Sequence, residues 1–590
     1  HENNSDLEDS CDITEDLLSS FETSGIIDTM EGRNQYSIMR QLIETKKLTS
    51  SNKIEMNEDI YYLEHENIPV QEYNNPSHLI CSFPTLFCYG WCGFEDNKRI
   101  NSISYLKQLK HLFNLSCNRF CVDSSFIYVI WNIMQRRSSK FFINLMVNKF
   151  EFSGFLQELS KVTLKELQEA QIDIIHGNPP NPTINKLIQL TFSANSNVTG
   201  SANYYKKIRN DIRGFFWECG QPDFYVTINP ADLHSQLLFV ISENKIDSTL
   251  FSHGKEFLRS SILSKNPIAH SKYFEIIMQA FIKCLLNFQK TNELSINNKL
   301  PVYKQQKLKN YGILGPIKDY CGVIHAQGRG SLHCHMFIWL ANKINAQEYK
   351  KLIKSKKFVK KLLSYLNDTI QCQVPNVTSL LNLPDQNLHV CSKIPKYLLT
   401  KNEKKLKYFI KSDVKQVLLK TNMHRCNNTC LNKYNQCRHK FGKHGKKLLT
   451  KSYISKRGKI HLKRLQKFLN NSNREMSLTL RCNHDIQFIA PMDQEGSLSI
   501  LYYMTNYVAQ PPLSTYNAFA IATKAYEKIK EQNLPNNVLD STKRIMSNMF
   551  NILASEIEYS GPQIAHMINS YGIKGNYNLY LYIYLNNLKC

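Results

Sequence analysis

Two histidines, His333 and His335, stand two residues apart in the apolar run from Leu332 to Leu340. Read as a strand, that run turns both imidazoles to one face. Val323 and Ile324 begin a preceding strand, and Gly328 and Gly330 supply a turn, so the stretch from Gly322 to Leu340 reads as a hairpin. Gln327, at the end of the first strand, brings a carboxamide oxygen toward the same spot. Two imidazoles and an oxygen suit one divalent cation with positions left open for a phosphate. The plainer alternative is a histidine pair that serves packing or the surface. A second cluster, His424, Cys426, Cys430 and Cys437, has the residue types and short spacings of a zinc knuckle, though not a standard finger spacing. Its alternative is a set of free thiols on a basic loop. Tyr503 and Tyr507 are four residues apart and share one face if helical. Tyr502 then points about 100° away.

The string from His325 to Met336 resembles the His-hydrophobe-His motif of the HUH endonucleases, and in its longer form the replication-initiator (Rep) domain of Helitron transposases. Gly220 to Pro230 resembles the first Rep strand motif, Tyr204 to Arg213 the helix before it, and Leu501 to Gln510 the paired-tyrosine helix. Phe83 to Phe87 with Tyr89 and Gly90 resembles the segment that opens such domains, with Cys88 where a proline is usual. The resemblance spans roughly residues 76 to 520. It implies an α+β fold, a Rep-type central antiparallel sheet flanked by helices, and single-strand DNA nicking and transfer in rolling-circle-like transposition. His333, His335 and Gln327 would hold Mg²⁺ or Mn²⁺, with His325 as a further candidate, and Tyr503 and Tyr507 would be the nucleophiles. The product would be a 5′-phosphotyrosine and a free 3′-hydroxyl. Helitron Rep domains also have a Cys/His cluster between the hairpin and the tyrosines, where His424, Cys426, Cys430 and Cys437 would hold structural Zn²⁺. Thr227 and Asn229 alternate onto one strand face beside the metal, and with Arg329, Lys440, Lys443 and Lys446 they are the candidate DNA contacts.

Two residues depart from the family pattern. His325 stands where the family often has Glu, and Gln510 where it usually has Lys. They leave a second reading open, an inactive, degenerate Rep module that only binds single-stranded DNA. Helitron transposases continue into a helicase, yet no Gly-x4-Gly-Lys-Ser/Thr phosphate loop occurs here, so no ATP hydrolysis is expected.

Composition agrees with a nucleic-acid partner. The 590 residues have a formal net charge of +25, 42% hydrophobic and 11% aromatic content, which describes a globular chain facing a polyanion. The charge is uneven: residues 401 to 470 carry 21 Lys or Arg against two acids, Glu403 and Asp413. Seventeen scattered cysteines argue against a disulfide framework and for free thiols with one metal site. Phe126 to Trp131, the longest apolar run near the start, is too short to span a bilayer, so no membrane is expected. A start at His1 without Met reads as a fragment, and a nuclear location follows from the substrate.

The chain divides as follows. Residues 1–75 read as an acidic flexible arm, 76–200 as a helical region, and 201–345 as the Rep core with its hairpin. Residues 346–475 form a basic insertion, 476–525 a strand and the two-tyrosine helix, and 526–590 are unassigned. Within these, helices are predicted over 102–118, 124–150, 160–176, 255–290 and 347–366, and strands over 223–228 and 478–489. Phe126, Ile130 and Met134 are expected on one buried face, as are Phe274, Met278 and Phe281, and Leu352, Phe358 and Leu362. Arg136, Arg137 and Lys140 read as a solvated helix end within reach of phosphate. Tyr502 is expected to turn into packing.

Overall fold

Four antiparallel strands carry the histidines. They are β1 Phe224–Asn229, β2 Ile317–Gln327, β3 Ser331–Leu340 and β4 Asn483–Phe488, side by side in the order β2-β3-β1-β4. The computed structural model describes residues 70–147, 163–175, 181–242, 248–252, 254–288, 311–327, 330–375, 389–426, 430–431, 437, 441, 447–492, 502, 523, 538–555 and 559–570. Helices pack around this sheet, so the chain is α+β as its sequence implies.

β3 is buried from Leu332 through Trp339, as expected for a central strand covered on both faces. Its register fixes which residues meet. Thr227 of β1 lies opposite His335 on one side and Asp485 of β4 on the other. His325 of β2 lies opposite His333, and Gln327 opposite Ser331. Because side chains alternate along a strand, Tyr225, Thr227, Asn229, His333, His335 and Asp485 share one face. The opposite face is mainly apolar: Phe224, Val226, Ile228, Cys334, Met336, Ile338 and Ile486 are all buried there, together with His484.

The helices begin where side chains can satisfy their first amides. In α1, Phe126–Val147, the Asp123 carboxylate accepts from Phe126 N at 2.7 Å, and Phe126, Ile130 and Met134 all pack into the core. Ser201 caps α2, Ala202–Cys219, and Gly220 ends it at φ 70°. α2 lies over one end of the histidine face, with Phe216 4.9 Å from Phe337 and Phe215 5.0 Å from Trp339 between ring centres.

The single helix expected over 255–290 is broken. Glu256–Ser264 ends, Asn266 caps a new helix with Pro267 in its first turn, and α3 runs Pro267–Ala280 into a wider turn, Phe281–Leu285. Phe274, Met278 and Phe281 are buried as expected. The helix expected over 347–366 is likewise two, Ala346–Leu352 and α4 Lys356–Thr369, because Ser355 caps the second. Leu352 is therefore exposed, while Tyr349 and Leu366 take the buried places.

Within the basic insertion, α5, Glu403–Val417, starts at the Asn402 cap and packs Val414 with Cys372, Leu418 and Leu469. The strand expected over 478–489 begins as helix. Asn473 caps α6, Arg474–Leu480, and Arg481 ends it in a left-handed conformation before β4 starts. Arg481 is fixed there by the Asp413 carboxylate and by Val390 O, partners distant in sequence.

After α7, Val538–Ser555, the helix α8, Gly561–Ser570, packs against α3, α1 and the β2–β3 hairpin, burying Ile564, Ala565, Met567 and Ile568. Ser560 sits against the hairpin turn, where Gly330 adopts φ 80° and an added Cβ would meet Ser560 Cβ at 3.2 Å. The phosphate contact considered for α1 does not fit the structure. Arg136 and Arg137 pair with Glu72 and Glu95, and Lys140 lies 4.3 Å from the Tyr73 ring centre. Among the described residues no helix is long and apolar enough to cross a membrane.

Candidate metal centre

His333 and His335 are 3% and 6% exposed, with ring centres 5.1 Å apart on the shared face of β3. Neighbouring β1 supports His335. Its Nδ1 lies 2.7 Å from the Tyr225 hydroxyl and 2.9 Å from Thr227 Oγ1, and the Tyr225 ring runs parallel to the imidazole. In the tautomer that donates from Nδ1 to those hydroxyl oxygens, the Nε2 lone pair is the one a cation takes. Burial, followed by the charge of His333, pushes the His335 pKa down to about 3. The imidazole is thus neutral at neutral pH, the form that ligates metal.

The further ligand candidates read from the sequence, His325 and Gln327, belong to β2. The register brings His325 across from His333 and Gln327 across from Ser331. The side chains of His325 and Gln327, and the whole of Arg329, lie outside the described residues. Two buried imidazoles on one strand face are residue types that could hold a divalent cation. Thr227 has its hydroxyl against His335 Nδ1, a contact that would orient that ring.

His424, Cys426, Cys430 and Cys437 come together as a second cluster, with all four ligand atoms within 4.8 Å of one another. Cys437 Sγ lies 3.2 Å from His424 Nε2. The cluster hangs from the neighbouring backbone through His424 N, which donates to Phe468 O at 2.8 Å, and the His424 ring stacks on Phe441. These residues could hold a metal such as zinc.

Tyr503 and Tyr507, with Gln510, Lys440, Lys443 and Lys446, lie outside the described residues. Tyr502 is helical and 70% exposed, not turned into packing as expected.

Residues 109–338 match the family described as the Helitron helicase-like domain at N-terminus. Over those residues the chain is similar to that Helitron domain. The match runs from the first helices through the histidine pair and stops inside β3; the Cys/His cluster and β4 follow it. No curated protein matches the chain.

Sequence reasoning passed over two residues of this face. Tyr225 alternates with Thr227 and Asn229, a period that places it beside His335. Asp485 joins the face opposite Thr227, and its Oδ1 is buried without a hydrogen-bond partner. Alternation in Asn483, Asp485 and Gln487 was the available signal, and only the pairing of β4 with β1 gives it a neighbour.

Proposed function

We propose that this chain is a Helitron-type transposase segment that nicks single-stranded DNA and transfers it through a 5′-phosphotyrosine. What supports the reading most is the buried, same-face pair His333 and His335, braced by Tyr225 and Thr227, within a Helitron-like domain. Bound there, Mg²⁺ or Mn²⁺ would neutralise the scissile phosphate and stabilise the charge of the transition state.

The residues divide the remaining work. Tyr225 and Thr227 hold the imidazole plane and tautomer, so that no reorientation is needed on binding. A phenol with a pKa near 10 is a weak nucleophile at neutral pH, so Tyr503 or Tyr507 must be brought in line with the phosphate. The phenolic oxygen forms the new bond to phosphorus, the bond to the 3′-oxygen breaks, and the proton lost by the phenol is balanced by one taken up at the 3′-hydroxyl. The phosphotyrosyl bond retains the energy needed for rejoining, so neither step uses ATP. Two tyrosines let one centre hold two strand ends. The clip of His424, Cys426, Cys430 and Cys437 takes structural Zn²⁺ and presents the surrounding lysines to the DNA backbone.

The test is a denaturing-gel assay of the whole chain with end-labelled single-stranded oligonucleotides and Mn²⁺. The expected result is a protein–DNA adduct that disappears in the Tyr503→Phe, Tyr507→Phe double variant while DNA binding persists. Binding without any adduct in the wild type would instead identify an inactive Rep module, the reading that Gln510 and His325 leave open.

A further inference from the structure

The histidine-bearing face continues past His333. Asn229, Ser331 and Asn483 each stand two residues further along the strands than Thr227, His333 and Asp485, and there the face opens into a pocket of about 300 Å³. That volume is at the lower end of the roughly 300–1,000 Å³ typical of small-ligand pockets.

The walls have complementary chemistry. Asn229 and Asn483 offer carboxamides, and Asn483 is steadied by Asn470 Nδ2, which donates to its Oδ1 at 3.1 Å. His234 and His389 form a flat aromatic wall, their ring centres 3.6 Å apart and their planes 15° from parallel. That wall is fixed in place: Cys391 N donates to His389 Nδ1 at 3.2 Å, and Ser392 Oγ donates to His234 O at 2.8 Å. Asp232, the one carboxylate among the described lining residues, already accepts from Ser331 Oγ and Leu233 N. Exposed Lys420 stands at the mouth on a wide turn, Leu418–Asn422, of a type that recurs at functional sites. Amide donors and acceptors, a flat ring wall and an outer cation match a nucleotide: an edge to hydrogen-bond, a face to stack and a phosphate to neutralise.

We propose that this pocket receives one unstacked nucleotide of the DNA strand held at the histidine pair. Its base lies against Asn229, Asn483 and the imidazole wall, and its phosphate lies toward Lys420. The inference rests on the single-stranded DNA chemistry proposed above.

The experiment is a scan of fluorescein-labelled single-stranded oligonucleotides, each with one abasic position, measured by anisotropy with the full chain. One position should weaken binding about tenfold more than its neighbours, the scale of a single stacked base. Asn483→Leu should bind the intact strand about tenfold more weakly and lose that position-specific penalty. Lys420→Ala, an exposed substitution, should lower the slope of log affinity against log salt by about one phosphate contact. A uniform abasic response in the wild type overturns the proposal, and so does an unchanged penalty in folded Asn483→Leu. Should Asn483→Leu not fold, an unaltered salt slope in Lys420→Ala overturns it. Adduct formation with a uniform abasic response removes the pocket alone, whereas absence of any single-strand binding removes the proposed nicking function as well.

Discussion

The two candidate metal centres are built by opposite means. The histidine pair is positioned by strand register. Thr227 and His335 are 108 residues apart in sequence, yet they meet because β1 and β3 pair, and the rings of His333 and His335 are both buried. The Cys/His clip draws its four ligands from a short, strongly basic stretch whose sequence holds few apolar residues. A site of the first kind keeps its shape without an ion, because the sheet holds it. A site of the second kind depends on the ion for its shape, since binding energy there is folding energy. The difference between the centres is thus where the ordering energy comes from, and each of the following experiments strains one side of it.

The largest effect is expected at the histidines. His333→Ala with His335→Ala should reduce adduct formation by about 10³-fold or more, given the several kcal/mol that a metal contributes to phosphoryl chemistry. The urea midpoint should fall as well, because two buried rings and the hydrogen bonds of His335 to Tyr225 and Thr227 are lost. Adduct yield is therefore compared without denaturant, at a temperature where the variant remains folded. Next comes the clip. Cys430→Ser, or treatment with a strong chelator, should remove bound zinc and speed amide exchange around His424 and Leu431 by on the order of 10²-fold, with β1 and β3 unchanged. Equal loosening of the sheet would erase the contrast. Thr227→Val keeps the shape and removes the hydroxyl on His335, so Mn²⁺ affinity measured by calorimetry should fall roughly 10- to 100-fold.

Smaller effects probe the scaffold. Gly330→Ala places a Cβ against Ser560 at a left-handed turn and should destabilise the protein by about 1–2 kcal/mol in urea titration. Burial, then neighbouring His234, pushes His389 down to about 3, and burial also lowers His484. Both lie below the unfolded value of about 6.5, so the unfolded chain binds more protons between those limits. The stability from neutral His389 and His484 is fully present above about pH 6.5 and is lost as pH falls toward the folded values. Urea midpoints measured between pH 7 and pH 4.5 should therefore decline, and less steeply in His389→Gln.

How much of this was legible in the sequence follows from which interactions are local. A period of two in Leu332 to Leu340 already put His333 and His335 on one face, and the short spacings from His424 to Cys437 already suggested one cluster. The caps at Asn266 and Ser355 are local too, and Pro267 in a first turn is a standard start signal, yet the apolar period ran on through them and hid the breaks. The helix at Leu478 to Leu480 depends on where it stops, and Arg481 is held by Asp413 and Val390, which no local pattern reveals. Arg136 and Arg137 read as a solvated helix end because their partners Glu72 and Glu95 are tens of residues away. Asp485 had no evident neighbour until β4 was seen to pair with β1.

Strand register gives the histidine pair its buried, same-face geometry, and the proposed metal binding follows from that geometry. Electron paramagnetic resonance of Mn²⁺ bound to the whole chain, with its nitrogen couplings resolved by electron–nuclear double resonance, tests it most directly. The expected spectrum shows couplings to imidazole nitrogens that are reduced in His333→Ala and again in His335→Ala, and that persist when Cys430→Ser dismantles the clip. A spectrum of Mn²⁺ ligated only by oxygen, or nitrogen couplings untouched by both histidine substitutions, would contradict the account.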